Sequence, residues 1–218
     1  MTHSDDDGLV LPPCLAPLHI VILPLVKSTA EQTAIMEFCA TLKKELQAQD
    51  FCGNKLLVKI DTSDARPGEK AWGWVKKGVP IRIEVGAREL ASNNISIGRR
   101  DGSYTDKVVM PKEKFVNSAV AMLHEIQQNL LTKAKQFKAK NIQPIASKDE
   151  FYDYFNPSNA TPAGFAIAPW ADTPETEEMI KTDLKVTPRC VPLASAKEFG
   201  KCIFTGEKAA FTIFAKGY

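Results

Sequence analysis

Hydrophobic and polar positions in the first third of the chain follow two successive patterns. Residues 19–26, "HIVILPLV", are almost continuously apolar, which is typical of a strand covered on both faces. Apolar residues then recur every three or four positions, which predicts a helix ending near Asp50. Residues 55–61, "KLLVKID", have a second strand pattern, and together these segments predict a β-α-β unit with parallel strands. The apolar positions of the helix are Ile35, Phe38, Cys39, Leu42 and Leu46.

The middle of the chain alternates between apolar and polar residues. In "VPIRIEVG", residues 79–86, the β-branched residues face one side while Arg82 and Glu84 face the other. This pattern predicts a strand with one accessible polar face. Residues 94–110 predict a hairpin around a turn at Asp101 and Gly102. Helical spacing from Pro111 onward predicts a long helix that becomes rich in lysine.

A domain boundary is predicted between residues 141 and 148. Beyond it, "DEFYDYF" and "DTPETEEMIKTDL" predict helices, and "AGFAIAPW" and "KVTPRCVPL" predict strands. The last segment, "KCIFTGEKAAFTIFAKGY", predicts a hairpin. The predicted fold class is therefore α/β, a mixed β-sheet flanked by helices and followed by a small α+β domain.

Composition excludes some classes of protein. The chain has 218 residues, of which 44% are hydrophobic and 25% charged, as in ordinary globular proteins. No apolar run reaches the roughly 18 residues that a membrane helix needs, and no basic segment with an apolar core resembles a secretory signal. The five cysteines are odd in number and scattered, which predicts reduced thiols and a cytoplasmic location.

Residues that could support catalysis are few. The segment after the first strand, "PLVKSTAEQT", lacks the glycines of a nucleotide-binding loop, which disfavours a nucleotide-binding enzyme on this unit. Of the three histidines, His19 and His124 lie in apolar surroundings and are interpreted as packed or capping residues. Cys190 and Cys202 lack the further ligands that a structural zinc requires.

Positive charge is concentrated in the middle of the chain. Residues 76–114 contain nine Lys or Arg and five Asp or Glu, whereas the whole chain has a net charge of only +2. Basic groups suit phosphates, and a carboxylate among them suits the N1–H and N2–H₂ donors of an unpaired guanine. The alternative is a surface Arg–Glu pair that contributes little to stability. The candidate residues are Arg82, Glu84, Arg88, Arg99, Arg100 and Lys107.

Three separated motifs resemble one protein family. They are "THSDDDGLVLPPCLAPLHIVILPL", "GVPIRIEVGARELASNNISIGRRDG" and "GKCIFTGEKAAFTIFAKGY". They closely resemble the C-terminal part of prolyl-tRNA synthetases of the archaeal/eukaryotic type, from Thr2 to Tyr218. The resemblance implies that residues 1–16 are the tail of a class II catalytic domain, 17–141 an anticodon-binding domain, and 142–218 a small zinc-binding-like domain. Residues preceding His19 are accordingly expected to be poorly ordered.

The resemblance also implies a function. The family attaches proline to its tRNA with ATP and magnesium, and the motifs that bind ATP and proline are absent from this sequence. No catalytic residue is therefore expected, and the chain alone is expected to be inactive. The partner implied is proline tRNA, with no membrane partner. The full-length enzyme is expected to be a homodimer, the state of this chain stays open, and Tyr218 could contact the distant active site.

Proline anticodons carry two adjacent guanines, which the family reads from the sheet of the anticodon-binding domain. This makes Glu84 a candidate guanine acceptor and Arg88 a candidate contact to a base or a phosphate. The remaining four residues are expected to position the RNA backbone. They are Arg82, Arg99, Arg100 and Lys107.

The zinc-binding positions of the family are mostly replaced. Where the family often has two cysteine pairs, this sequence has Ala171 and Thr176, then Cys202 and Thr205. No zinc is therefore predicted, and apolar packing is expected to hold the module together. The packing residues are expected to be Phe165, Ile167, Trp170, Val191, Phe211, Ile213 and Phe214.

Two other functions stay open from the sequence. One is a free-standing RNA-binding or regulatory protein built from the same domain. The other is a small-molecule-binding α/β domain without any role in RNA recognition.

Overall fold

The computed structural model of the chain describes residues 2–26, 28–160, 163–193 and 198–217. The chain divides into two compact units, Met1–Ala134 and Lys135–Tyr218. Within the described ranges, no helix has both the length and the apolar character needed to cross a membrane. Tyr218, for which a distant contact is predicted, lies outside the described residues.

The first unit is built around one sheet. Its strands lie in the order β4-β1-β5-β6-β7, with β1 parallel to β4 and β5, and with antiparallel pairing from β5 to β7. The predicted mixed sheet flanked by helices is confirmed. The elements are a 3-10 helix (Pro13–Leu15), β1 (Ile20–Leu25), α1 (Thr29–Gln47), β2 (Asp50–Phe51), β3 (Asn54–Lys55), β4 (Val58–Ile60), α2 (Pro67–Lys76), β5 (Ile81–Gly86), α3 (Ala87–Ala91), β6 (Asn94–Arg99), β7 (Lys107–Pro111) and α4 (Lys112–Lys140), whose last residues belong to the second unit.

Strand β1 is covered on both faces, as its apolar run predicts. Ile20 and Ile22 lie in the main core with the buried faces of α1 and α4. Val21 and Leu23 point the other way and form a second cluster with Ala71 of α2. Because α2 covers only part of that second face, the neighbouring part of the sheet is free to present polar side chains.

The N-terminal segment packs against the first unit, so the prediction that it is poorly ordered was wrong. Val10 is buried in the main core. The Leu9 N–H donates to the carbonyl of Lys76 over 3.0 Å, at the C-terminal end of α2. Gly8 and Gly78 permit this backbone contact, because a Cβ on Gly78 would lie 2.7 Å from the Leu9 carbonyl oxygen. Sequence patterning could not show this contact, since the two segments are far apart in the chain.

Two cysteines are joined, which corrects the prediction that all five thiols are reduced. Cys14 and Cys52 form a disulfide, with Cα atoms 5.8 Å apart and a sequence separation of 38. Cys39, Cys190 and Cys202 are free. This pair was missed in the sequence analysis, because only the number and spacing of the cysteines were used. Neither shows that the segment near Cys14 lies against the β2–β3 turn, which contains Cys52.

The second unit contains a smaller sheet with helices against it. The strand order is β10-β12-β9-β8, and β11 pairs with β12. Strand β8 is parallel to β9, and the other pairs are antiparallel. The elements that follow α4 are β8 (Ile142–Pro144), α5 (Lys148–Tyr154), β9 (Phe165–Trp170), α6 (Pro174–Leu184), β10 (Val186–Cys190), β11 (Phe199–Lys201) and β12 (Lys208–Lys216).

The core of the second unit agrees only partly with the predicted set. Trp170, Ile213 and Phe214 are buried, whereas Phe165 and Val191 are each 45% exposed. Strand β9 turns its small residues inward, so its large residues Phe165 and Ile167 alternate toward the outside. The space is filled instead by rings of α5, where Phe151 packs against Phe214 with ring centroids 5.2 Å apart. Phe211 and Ile167 are half-buried.

Candidate nucleic-acid interface

Glu84 and Lys107 form an ion pair on the face of the first sheet that α2 leaves partly open. Glu84 lies on β5 and Lys107 begins β7. The Lys107 ammonium donates to both carboxylate oxygens of Glu84, over 2.7 and 2.8 Å. The side chains are 17% and 37% exposed, so the carboxylate is held in a fixed position yet remains reachable from solvent. Such a carboxylate can accept hydrogen bonds from a ligand while its neighbour contacts a negative group.

Arg82 shares this face but is buried, which corrects the prediction of an accessible arginine. It is only 2% exposed, and its guanidinium carbon lies 5.4 Å from the ring centre of Tyr104. Gly98 is opposite Arg82 in the sheet, and a Cβ there would lie 2.8 Å from Arg82 Nη2. The long side chain therefore lies flat over a glycine and beneath an aromatic ring. Neither terminal nitrogen has a hydrogen-bond partner among the described residues.

Burial changes the protonation equilibrium of Arg82. Loss of hydration lowers the pKa of the Arg82 guanidinium, while the nearby Tyr104 and Glu84 favour its charged form. An arginine remains protonated at neutral pH despite such a shift. Arg82 thus places a positive charge without a hydrogen-bonded acceptor among the described residues below the surface, beside Glu84.

Arg99 lies on the opposite face of the sheet. It pairs in register with Ile81, whose side chain is in the main core. Arg99 donates to Asp101 over 2.9 and 2.7 Å and to Glu125 of α4 over 3.0 Å. These hydrogen bonds hold the pKa of Arg99 above its usual value. The structure does not bring Arg99 together with Glu84.

Arg100 fastens the N-terminal segment. It is 5% exposed, and its guanidinium donates to both carboxylate oxygens of Asp5, over 2.7 and 2.5 Å, and to the Val75 carbonyl over 3.2 Å. Asp5 has a lowered pKa, chiefly because of its hydrogen bond with Arg100. All of these contacts are within the protein, so Arg100 is engaged structurally.

Arg88 is exposed near the start of α3, the short helix that directly follows β5. Within the described part of the chain, its side chain forms no hydrogen bond or ion pair. It is therefore free to contact a ligand near the end of β5. The sequence did not predict α3, because five residues are too few to show a helical period.

The aromatic residues that border the partly open face of the first sheet were not identified from the sequence. Trp72 of α2 meets Tyr104 of the β6–β7 loop, with ring centroids 5.3 Å apart and planes at 86°. The Lys77 ammonium lies over the ring of Trp74, 4.3 Å from its centre. The signal that could have found them is aromatic residues interleaved with basic ones, which is typical of surfaces that bind single-stranded nucleic acids.

The four positions that correspond to zinc ligands do not form a metal-binding set. One thiol (Cys202), two hydroxyls (Thr176 and Thr205) and a methyl group (Ala171) do not match the thiolate and imidazole ligands that zinc prefers. The Thr176 hydroxyl already accepts a 2.7 Å hydrogen bond from Trp170 Nε1. Among the described residues, no three His, Cys, Asp or Glu side chains cluster as metal ligands. The absence of zinc stays a prediction.

Cys202 has an unusual environment for a buried thiol. Burial would raise its pKa, but hydrogen bonds from Thr205, and from the backbone at Phe204 and Ala171, lower it overall. The turn around Cys202 therefore directs several donors at one sulfur atom. A single thiol without neighbouring metal ligands among the described residues does not indicate a catalytic or metal-binding site.

Comparison with known proteins finds one matching family in each unit of the chain. Residues 19–122 match the family described as anticodon binding domain, and residues 152–218 match the family described as prolyl-tRNA synthetase, C-terminal. The chain is 42% identical over its whole length to a proline–tRNA ligase of Bdellovibrio bacteriovorus and 41% identical to one of Protochlamydia amoebophila. It is 40% identical to proline–tRNA ligase 2 of Anaeromyxobacter dehalogenans. It spans 44% of the length of each of these relatives.

These relatives correct one part of the sequence interpretation. All three are from bacteria, so the similarity is to bacterial-type proline–tRNA ligases and not to the archaeal/eukaryotic type that the motifs suggested. The motifs identified similarity to prolyl-tRNA synthetases but did not identify the type of synthetase.

Proposed function

We propose that this chain recognises the anticodon of proline tRNA within a proline–tRNA ligase. The proposal is supported by the match of residues 19–122 to the anticodon-binding domain family and of residues 152–218 to the prolyl-tRNA synthetase C-terminal family. In that reaction ATP activates proline, and the prolyl group passes to the tRNA. The chain spans 44% of the length of the relatives named above. The chemistry that involves ATP, magnesium and proline is proposed to belong to the rest of the ligase. Residues 17–141 are the proposed anticodon-binding domain and 142–218 the proposed C-terminal domain.

The Glu84–Lys107 pair carries the proposal. A carboxylate repels phosphate, so its presence on a basic sheet face favours a ligand that offers hydrogen-bond donors. The Watson–Crick edge of guanine has two adjacent donor groups, which match the two oxygens of Glu84. Lys107 compensates the charge of Glu84 and can reach a neighbouring phosphate.

The candidate residues differ in how well they suit RNA contact. Glu84, Lys107 and Arg88 are at least partly accessible, so they are the proposed direct contacts. Arg82 is proposed to act from below the surface through its charge. Arg99 and Arg100 are held by carboxylates, so any contribution they make to RNA binding is proposed to be indirect.

Binding to tRNA tests this proposal. The protein should bind proline tRNA more tightly than a tRNA without adjacent anticodon guanines, and the affinity should fall as salt increases. Equal binding to both RNAs would contradict anticodon reading, and no binding at low salt would contradict any tRNA role. Cytoplasmic location and a homodimeric full-length ligase are further parts of the proposal.

A further inference from the structure

Trp72 and Tyr104 form an aromatic corner at the edge of the open sheet face. Their rings are nearly perpendicular, at 86°, with centroids 5.3 Å apart. Both side chains are half-buried. Trp72 belongs to none of the hydrophobic clusters formed by the described residues, so the core does not account for its position. A partly exposed indole beside a partly exposed phenol offers two flat apolar surfaces to a ligand.

The charge under this corner favours a particular kind of ligand. Arg82 lies beneath Tyr104, and its two terminal nitrogens lack partners among the residues that the structure describes. A buried guanidinium without acceptors is unfavourable, and its positive charge favours a ligand at the surface above it that is negatively charged or rich in π-electrons. A nucleotide has both properties, since its phosphate is negative and its base is aromatic.

The aromatic corner is continuous with the Glu84–Lys107 pair. Arg82 and Lys107 are both opposite Gly98 in register, and Glu84 is two residues beyond Arg82 on the same face of β5. The contacts therefore run from Trp72 to Tyr104, then to Arg82. Glu84 follows two residues later on the same face of β5 and is paired with Lys107. Two neighbouring unpaired bases fit this arrangement, one with its face against a ring and the other with its edge at the carboxylate.

We propose that Trp72 and Tyr104 stack one unpaired base of a single-stranded RNA loop, directly beside the base edge that Glu84 reads. This inference rests on the proposed function and adds two affinity-determining residues to it. A base in the angle between the rings stacks on one of them and meets the other edge-on, a favourable aromatic geometry in both cases. Stacking tolerates any base, so these rings supply affinity while Glu84 supplies selectivity.

A mutant cycle between protein and RNA tests the inference. The RNA is a synthetic anticodon stem–loop of proline tRNA, with variants that have one abasic site at each loop position in turn. The proteins are the full chain with Trp72→Ala, Tyr104→Ala, Trp72→Phe or Tyr104→Phe. Phe199→Ala, which removes a 54% exposed ring from the second unit, is the control. Urea unfolding confirms that each variant is folded.

The two alanine variants should bind the intact stem–loop between about five-fold and 100-fold more weakly. The phenylalanine variants and the control should stay within about three-fold, because an aromatic ring is retained at the site. One abasic position should weaken wild-type binding by a similar factor, and at that position the alanine variants should bind as well as wild type.

The failures of the two proposals are distinguishable. Wild-type protein that does not bind the stem–loop at low salt contradicts the proposed function and this inference together. Selective wild-type binding with alanine variants of unchanged affinity contradicts only the inference. Alanine variants that lose affinity equally on every abasic RNA also contradict it, because their rings would then act on the fold and not on a base.

Discussion

Lys107 Nζ lies 2.7 and 2.8 Å from the two carboxylate oxygens of Glu84, across the sheet from β7 to β5. The pair is partly exposed, so it contributes at most about 1 kcal/mol to stability. The ion pair also holds the Glu84 carboxylate in position on a surface that is otherwise basic. Because the two side chains hold each other in place, a ligand with hydrogen-bond donors and a nearby negative charge would bind beside them.

Lys107→Met is expected to weaken RNA binding through the phosphate contribution. The slope of log affinity against log salt should become shallower by about 0.7 to 1, the change expected for one phosphate contact. Preference for guanine should persist, because Glu84 is still present. Lys107→Arg is the matched control and should retain the wild-type slope. An unchanged slope in Lys107→Met would show that this ammonium does not contact the RNA backbone.

Gly78→Ala is expected to destabilise the first unit more than Gly53→Ala does. Both glycines have positive φ, +72° and +82°, so both variants bear a left-handed backbone penalty of about 1–2 kcal/mol. A Cβ at Gly53 meets nothing within 4 Å, whereas at Gly78 it lies 2.7 Å from the Leu9 carbonyl oxygen. This clash should add roughly 1–3 kcal/mol to the loss in urea unfolding. Equal losses would mean that Leu9 does not pack there.

His19 is expected to make the fold less stable as the pH falls below about 6.5. Its Nδ1 accepts a 3.0 Å hydrogen bond from the Leu57 N–H, and burial lowers the pKa of this histidine. The unfolded chain therefore takes up a proton at a higher pH than the folded chain, so the stabilisation is complete above 6.5 and is lost as the pH falls toward the lowered pKa.

The matched variant is His19→Asn, whose amide oxygen can accept the same hydrogen bond without titrating. Urea midpoints between pH 7.5 and 5.5 should decline more steeply for the wild type than for this variant. Parallel declines would assign the pH dependence to other groups and contradict the role of His19.

Reduction of the Cys14–Cys52 disulfide is expected to lower the free energy of unfolding by about 3–4 kcal/mol, since the disulfide joins residues separated by 38 positions in sequence. Denatured protein purified without reductant should expose three thiols to a colorimetric reagent, those of Cys39, Cys190 and Cys202. Cys14→Ser should unfold at the same urea concentration with and without reductant. Five reactive thiols in the unreduced wild type would restore the original prediction of reduced cysteines.

The parts of the fold found from sequence are those with long, regular periods. The apolar run of β1, the alternation of β5 and the helical spacing of α4 each define an element without help from distant residues. Strand β8 and helix α3 were missed because elements of three and five residues carry too little pattern. The second core was partly mispredicted because Phe165 and Ile167 alternate outward while small alanines face inward.

The candidate site was predicted less well than the fold, for reasons of register and long-range contact. Arg99 is the last residue of β6 and Arg100 follows it directly, so their side chains point to opposite faces of the sheet and cannot contribute to one surface. The burial of Arg82 depends on Tyr104, and Asp5 occupies Arg100 from 95 residues away. Local sequence predicted only that Glu84 lies among basic residues.

The most direct test of anticodon reading is the affinity of Glu84→Ala for two stem–loops, one from proline tRNA and one with its anticodon guanines replaced. Loss of the carboxylate should weaken binding of the guanine-containing RNA between about five-fold and 100-fold, as for one base-specific contact of about 1–3 kcal/mol. Binding of the replaced RNA should be unchanged or slightly stronger, since a negative charge has been removed. An equal loss for both RNAs would contradict the account, because Glu84 would then support the surface without reading a base.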